Sequence, residues 1–359
     1  MDTRNIIGEI IELLNADVPF TDLLIEENSP VEAYWPTGWG IVGDLAYPTR
    51  DDIAIVFDSL NPNWREEIVK GSINGPMDIS PWRLRINGYT VCGVKQRLKM
   101  AVRRLPIKQP TLKDIGLTEN VRIMVDNPRG LILVTGSTGS GKSTTVSAMV
   151  DCINEARSYH ILTIEDPIEY VFTPKKSTFS QREIGSDCPT FFDGVYDAMR
   201  QRPNVIIIGE IRDRETAEAA LLAAESGHLV IGTVHGNNVS GAIHKLLSLF
   251  PKDERDSKRD ALSSTLLGVI SQILLPNTKK DGYVLAAELL FNHKQQCSEM
   301  LGDAAKVNGY LQRKDDKLNR SMAHSLHELV ASGKLEKGVA LAAAGIGQPV
   351  LMDLLKSTV

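Results

Sequence analysis

A chain of 359 residues exceeds the usual single-domain size, so two domains, each able to bury a core, are expected. Its 40 Lys and Arg against 45 Asp and Glu argue against a constitutive wrapper of duplex DNA, while leaving room for a local basic groove. The four cysteines, Cys92, Cys152, Cys188 and Cys297, form no C-x-x-C pair, which suggests neither structural zinc nor a disulfide framework and fits a reducing cytoplasm.

The first predicted element is a helix over Ile6-Ile7-Gly8-Glu9-Ile10-Ile11-Glu12-Leu13-Leu14, whose acidic insertions suit an amphipathic helix and not a signal peptide. No apolar run approaches the ~20 residues that cross a bilayer, so membrane association is expected to be peripheral or through a partner. Residues 1–104 read as a small α+β domain with short strand-like stretches such as Ile53-Ala54-Ile55-Val56-Phe57. Trp35, Trp39, Trp64 and Trp82 all fall there and read as core and interface packing. Arg83 and Arg85 alternate with Leu84 and so share a strand face. Arg97, Arg103 and Arg104 lie in a basic stretch ending at Pro106, which reads as the last strand of this domain running into a linker at 105–110.

Residues 111–290 alternate strand and helix, with strands expected at 131–135, 160–165, 205–209 and 229–234, hence a mostly parallel sheet with helices on both faces. A helix is expected from Thr216 to Ser226, stopped by Gly227. Residues 291–359 look like a helical C-terminal region, including Ser325–Val330 and Pro349–Leu355.

The chemistry is concentrated in the second domain. Gly136-Ser137-Thr138-Gly139-Ser140-Gly141-Lys142-Ser143-Thr144 stands between an apolar run, Leu131–Val134, and a helix-like segment. This is a Walker A loop in strand–loop–helix context. Its glycines let the backbone turn and aim N–H groups at a polyphosphate, Lys142 reaches the β and γ phosphates, and Ser143 ligates Mg²⁺. ATP and Mg²⁺ are the expected cofactors. Hydrolysis also needs a group that orients the attacking water. Val205–Ile208 makes a buried strand, and Glu210 beyond its C-terminal end would emerge where ligands bind in open α/β sheets, so water activation is assigned to Glu210.

An Asp often precedes such a Glu; here Gly209 stands in its place, so metal support is expected from Ser143, water or another acid. Glu165 and Asp166, after another apolar strand, would place negative charge near Mg²⁺ or the attacking water, or else cap the turn at Pro167. His235 ends the run Gly227–His235 and would sense the γ-phosphate, with a satisfied core histidine as the competing account; for His228 the two accounts are even. Arg83, Arg85, Arg97, Arg103 and Arg104 are candidates for a mobile cation that offsets developing charge, against the alternative of solvated linker charges.

Taken together, Gly136–Thr145, Thr163–Glu169, Gly209–Asp213 and Gly227–His235 resemble the Walker A, Asp box, Walker B and His box of the PilT-like type II/IV secretion ATPases, in order and spacing. The likeness is strong from about 75 to 255. Phe20-Thr21-Asp22-Leu23 resembles the family's N-domain opening, with Leu24 where the family has His. The resemblance implies a PAS-like N-terminal domain, a RecA-like P-loop ATPase domain and a homo-hexameric ring with ATP at the domain junctions. It implies Glu210 and Glu165 as the acidic catalytic groups, His235 in the site, and Arg85, Arg97 and Arg103 approaching phosphate from the N-domain.

Ala305–Gln312 stands near the place of the motif that pilus-retraction members carry, without matching it. The zinc element of pilus-assembly and type II secretion members is absent from the sequence, which leaves the DotB/TraJ-type ATPases of type IVB secretion and conjugation. The expected function is Mg²⁺-dependent ATP hydrolysis powering a secretion, conjugation or pilus machine, from the cytoplasmic side and peripheral to inner-membrane components. Direct nucleic-acid binding is not expected. Two rivals are a RecA-like nucleic-acid motor, for which the sequence offers no aromatic and basic binding motif, and a nucleotide-gated assembly switch with little turnover.

Overall fold

The computed structural model describes residues 6–16, 18–117, 119–292, 301, 303–312 and 318–356; Cys297 lies outside them. The chain divides between Lys108 and Gln109 into two compact units, with Lys279–Gly282 assigned to the first. Both are mixed α/β.

The first unit holds β1 (Asp22–Glu26), β2 (Glu32–Trp35), β3 (Gly38–Ile41), β4 (Ile73–Ile79), β5 (Trp82–Val91) and β6 (Arg97–Pro106). They form an antiparallel sheet in the order β3-β2-β1-β6-β5-β4. Strand alternation sorts the faces: Leu98, Met100 and Val102 are buried on β6, while the residues between them face outward. Helices Ile6–Asn15 and Arg50–Leu60 contribute Leu14, Ile53 and Phe57 to the core on the apolar face.

The segment Ile53–Phe57, expected as a strand, belongs to the helix Arg50–Leu60. A capping box between Thr49 and Asp52 starts that helix, and Ile53 and Phe57, one turn apart, are its buried residues. Gly88 of β5 lets the Phe57 ring lie against the strand, since a Cβ there would collide with it. Packing accounts for Trp64, which is buried against Phe57 at 5.1 Å, and for Trp35 beside Phe20 at 5.8 Å. Trp39 is 51% exposed and packs only against Tyr34 among its aromatic neighbours.

The second unit holds β7 (Gly130–Thr135), β8 (His160–Glu165), β9 (Thr178–Glu183), β10 (Val205–Ile208), β11 (Leu229–Val234), β12 (Leu266–Pro276) and β13 (Tyr283–Phe291). Their order is β13-β12-β7-β11-β10-β8-β9, parallel throughout except for the antiparallel pair β12–β13. The strands expected at 131–135, 160–165, 205–209 and 229–234 coincide with β7, β8, β10 and β11 to within a residue. All four residues of β10 are buried, as a central strand covered on both faces requires, each contributing roughly 2 kcal/mol of burial. Helices Glu119–Val125 and Lys142–Ala156 cover one face. Phe191–Ala198, Arg214–Glu225, Val239–Ser248 and Arg255–Thr265 cover the other.

The helix expected from Thr216 starts two residues earlier, at Arg214, because Asp213 caps it by accepting the Thr216 N–H. After β13, helix Ala304–Leu311 adds Val307, Tyr310 and Leu311 to the main core. Helices Met322–Ala331, Lys337–Ala343 and Gln348–Lys356 build a smaller cluster around Leu326, Leu335 and Leu351 that includes Ala286 of β13. Among the described residues no helix is long and apolar enough to cross a membrane.

Candidate nucleotide site

Parallel strands in register bring their C-terminal ends to one edge. Val234 of β11 pairs with Thr135 of β7, and Ile208 of β10 pairs with both Gly232 of β11 and Ile164 of β8. Everything that follows these four strands is therefore gathered at that edge.

The Walker A loop leaves β7 through Gly136 at φ +151°, and Gly139 and Gly141 also take positive φ. At Gly136 a Cβ would run into the Gln272 carbonyl and the Ser140 hydroxyl, so the loop closes only with glycine there. Ser137, Thr138 and Gly139 are exposed and Ser140 is buried. Gly141 caps the helix Lys142–Ala156 without a side-chain bond, leaving a helix N-terminus suited to phosphate. Lys142 Nζ donates to the carbonyls of Gly136 at 2.9 Å and Ser137 at 3.0 Å, across the mouth of the loop. Burial lowers the Lys142 pKa, with the Glu210 and Glu169 carboxylates opposing the shift. Ser143 is exposed, and the Thr144 hydroxyl lies 3.2 Å from that of Tyr170.

Glu210 is half-buried past the end of β10, with His235 Nε2 3.2 Å from its Oε1. The turn carrying Glu210 is tied to β11 by Ile211 N–H donating to the Thr233 carbonyl at 2.8 Å and by the Thr233 hydroxyl donating to the Gly209 carbonyl. Gly209 also explains the missing Asp: a Cβ there would sit 3.1 Å from the Ile164 carbonyl and 3.2 Å from Glu165 Cα, so a side chain would press on the β8 backbone. Glu165 accepts from the Thr163 hydroxyl at 2.7 Å and from Gln181 Nε2 at 3.4 Å. Burial pushes its carboxyl up to about 7, against the two hydrogen bonds. Asp166 is exposed. His228 sits elsewhere: its Nδ1 lies 2.9 Å from the Ala223 carbonyl at the end of the preceding helix, a structural role.

The candidate arginines Arg83, Arg85, Arg97, Arg103 and Arg104 lie in the first unit. Arg85 of β5 and Arg103 of β6 are cross-strand partners, and Asp22 of β1 is the next partner of Arg103. Arg103 Nε binds Asp22 Oδ1 at 2.8 Å. Arg85 is exposed beside it on the outward face. Arg97 binds Glu26 at 2.7 Å and the Cys92 sulfur at 3.0 Å, and Arg83 binds Asp78 at 3.1 Å. Arg104 turns inward. Its guanidinium donates to the carbonyls of Leu14, Val18 and Phe20 and lies 3.9 Å over the Phe20 ring and 4.1 Å over the Trp82 ring. It is a structural clamp, not a mobile cation.

Three supporting residues escape a reading by motif. Gln272 of β12, fully buried, donates to the Ser140 carbonyl at 2.7 Å and braces the Walker A loop from behind. Gln181 of β9 joins Glu165 to the Tyr170 carbonyl, which it binds at 2.8 Å. Tyr170 closes the circuit to Thr144. Polar Ser271-Gln272 inside an otherwise apolar strand is the signal that marks Gln272, since a buried amide needs a partner.

The profile of the type II/IV secretion system protein family matches residues 85–328, which take in the whole nucleotide edge. The chain belongs to that family. The chain is similar to the uncharacterized protein YggR of Escherichia coli, 38% identical over 266 residues, or 72% of this chain and 79% of that one. The type IV pilus retractation ATPase PilT of Pseudomonas aeruginosa is 40% identical over 241 residues, or 66% and 68% of the two chains. Among solved structures, the pilus retraction motor PilT with bound ADP superposes with a TM-score of 0.79 at 35% identity, covering 96% of this chain and 97% of that one. The ATPase DotB of Legionella pneumophila gives a TM-score of 0.79 at 25% identity, covering 94% of each. As a member of this family the chain is a nucleotide-binding ATPase of the PilT-like kind.

Proposed function

We propose that this ATPase works as a homo-hexameric ring whose Mg²⁺-dependent hydrolysis of ATP drives a secretion, conjugation or pilus machine from the cytoplasmic face of the inner membrane. The observation that carries the reading is the 3.2 Å contact between His235 and Glu210 at the strand edge that also carries Lys142. The group assigned to feel the terminal phosphate and the group assigned to activate water are in contact.

In this scheme the amides of Gly136–Thr144 cradle the phosphates, and Lys142 leaves the Gly136 and Ser137 carbonyls to bind the β and γ oxygens. Glu210 orients the attacking water and takes its proton, and Glu165 supports it with a carboxyl poised near neutrality. His235 holds Glu210 until phosphate claims its ring. Arg103 and Arg85 of a PAS-like first domain offset charge on the transferring phosphoryl group, with Asp22 holding Arg103 in the resting state.

The donor set suits Mg²⁺: Ser143 offers an exposed hydroxyl beside Lys142, and a hard cation of this kind is usually completed by phosphate oxygens and water. When bound, the ion neutralises charge on the β and γ phosphates. As for the driven machine, 40% identity to PilT favours a pilus, while Ala305–Gln312 in place of the retraction motif favours the DotB/TraJ type.

Steady-state turnover with Mg²⁺ titrated from zero, followed by the mass of the nucleotide-bound assembly in solution, tests the proposal. It predicts turnover that rises with Mg²⁺ and a six-subunit particle. A monomer that turns over at full rate would contradict it.

A further inference from the structure

Glu288, on β13, is only 7% exposed and takes no part in the site described above. Its Oε1 accepts the Val239 N–H at 2.8 Å and its Oε2 accepts the Met322 N–H at 3.4 Å. These amides open two separate helices, Val239–Ser248 and Met322–Ala331. The residues that cap those helices serve deeper amides: Asn238 takes the Gly241 N–H and Ser321 takes the His324 N–H. The first-turn amides are thus left for Glu288, whose charge meets the positive ends of both helices. Burial raises its carboxyl pKa and the two amides oppose the rise.

Each helix leads to a different part of the unit. Val239 lies just downstream of His235, and the intervening Gly236 carbonyl accepts the hydroxyl of Thr135, the residue ahead of the Walker A loop, at 3.0 Å. That segment is tightly packed: a Cβ on Gly236 would sit 2.9 Å from Ala242 N and 3.0 Å from Thr135 Oγ1. A shift at His235 must therefore carry the start of helix Val239–Ser248 with it. On the other side, Arg320 exchanges backbone bonds of 2.8 and 3.0 Å with Leu289, and the Ser325 hydroxyl accepts the Ala287 N–H at 3.0 Å. Helix Met322–Ala331 is fixed to β13 on both sides of Glu288.

We propose that Glu288 is a positioning residue that couples the His235 loop to the C-terminal helices, so that contact between His235 and the terminal phosphate and the setting of helix Met322–Ala331 are one mechanical event. This rests on the reading of His235 given above. The carboxylate suits the task because it has two oxygens, one for each amide. Gln keeps the shape but turns an NH₂ group toward one N–H, which breaks one of the two links.

In the full-length protein, Glu288→Gln is expected to lower kcat about tenfold while KM for ATP stays within about twofold. In a His235→Ala background the same substitution is expected to cost less than about twofold more, because the element it positions is gone. A further tenfold loss on that background, or a change confined to KM, would overturn the coupling and leave the reading of His235 standing. A wild-type kcat in His235→Ala alone would instead remove His235 from the proposed reaction, and the coupling with it. Wild-type protein supplies a readout that needs no substitution. Amide exchange at Val239 and Met322, compared between ADP and a non-hydrolysable ATP analogue, is expected to change together; a response at Val239 with none at Met322 contradicts the coupling.

Discussion

The two units treat their charged groups in opposite ways. In the second, the groups at the strand edge are bound to one another: Glu210 to His235, Glu165 to Thr163 and Gln181, and the Walker A loop to Gln272. In the first, Arg103 and Arg85 stand on an outward strand face with Asp22 as the bound partner of Arg103. One arrangement is pre-organised by contacts within its own unit. The other holds a cation in a pair that solvent screens, so it is released at small cost. Arg103 and its sequence neighbour Arg104 show the contrast within a single strand, since alternation sends one outward and the other onto Phe20 and Trp82.

Substitutions that break this contrast are ranked by effect. Lys142→Ala is expected to lower kcat/KM about 10³-fold and to weaken ATP binding along with it, read by isothermal titration and steady-state assays; an unchanged affinity would place the phosphates elsewhere. Arg103→Ala is expected to lower kcat at least about 100-fold while unfolding free energy stays within about 1 kcal/mol of wild type. Arg104→Ala should do the reverse, costing about 3 kcal/mol in denaturant unfolding through three orphaned carbonyls and two lost ring contacts. Equal losses in the two variants would erase the distinction between them.

Glu165 gives a pH signature confined to the second unit. Burial raises its carboxyl from 4.5 to about 7, so the native state binds more protons than the unfolded chain between those values. Stability is therefore highest on the acid side of that window and falls by on the order of 3 kcal/mol as pH rises through it. Glu165→Gln should flatten this slope. A slope unchanged by the substitution would assign it to other groups. Last in size, Gln272→Leu leaves the Ser140 carbonyl without its 2.7 Å donor and is expected to weaken ATP binding about fivefold, for a loss of ~1 kcal/mol.

Local chemistry made the Walker A loop, β10 and Glu210 legible. Glycine spacing and flanking apolar runs leave few alternatives, and four branched residues followed by Gly209-Glu210 imply a buried strand opening at an edge. Residues that act across the sheet were less so. Gln272 is far along the chain from Ser140, and only the pairing of β12 with β7 brings them together. β9 carries polar residues on an edge and offers no apolar run. The five-residue run Ile53–Phe57 is too short for its period to separate strand from helix, and the capping box at Thr49 decides it. Arg104 was readable in principle: the row Leu98, Met100 and Val102 continues onto it at period two.

The account depends most on Glu210 acting on water while Lys142 and the loop bind the nucleotide. Single-turnover hydrolysis of radiolabelled ATP by Glu210→Gln, with bound nucleotide recovered and identified, separates these two steps. The prediction is ATP bound at wild-type affinity and recovered intact, with the hydrolytic rate lowered about 10³-fold. Recovery of ADP at the wild-type rate would contradict the account.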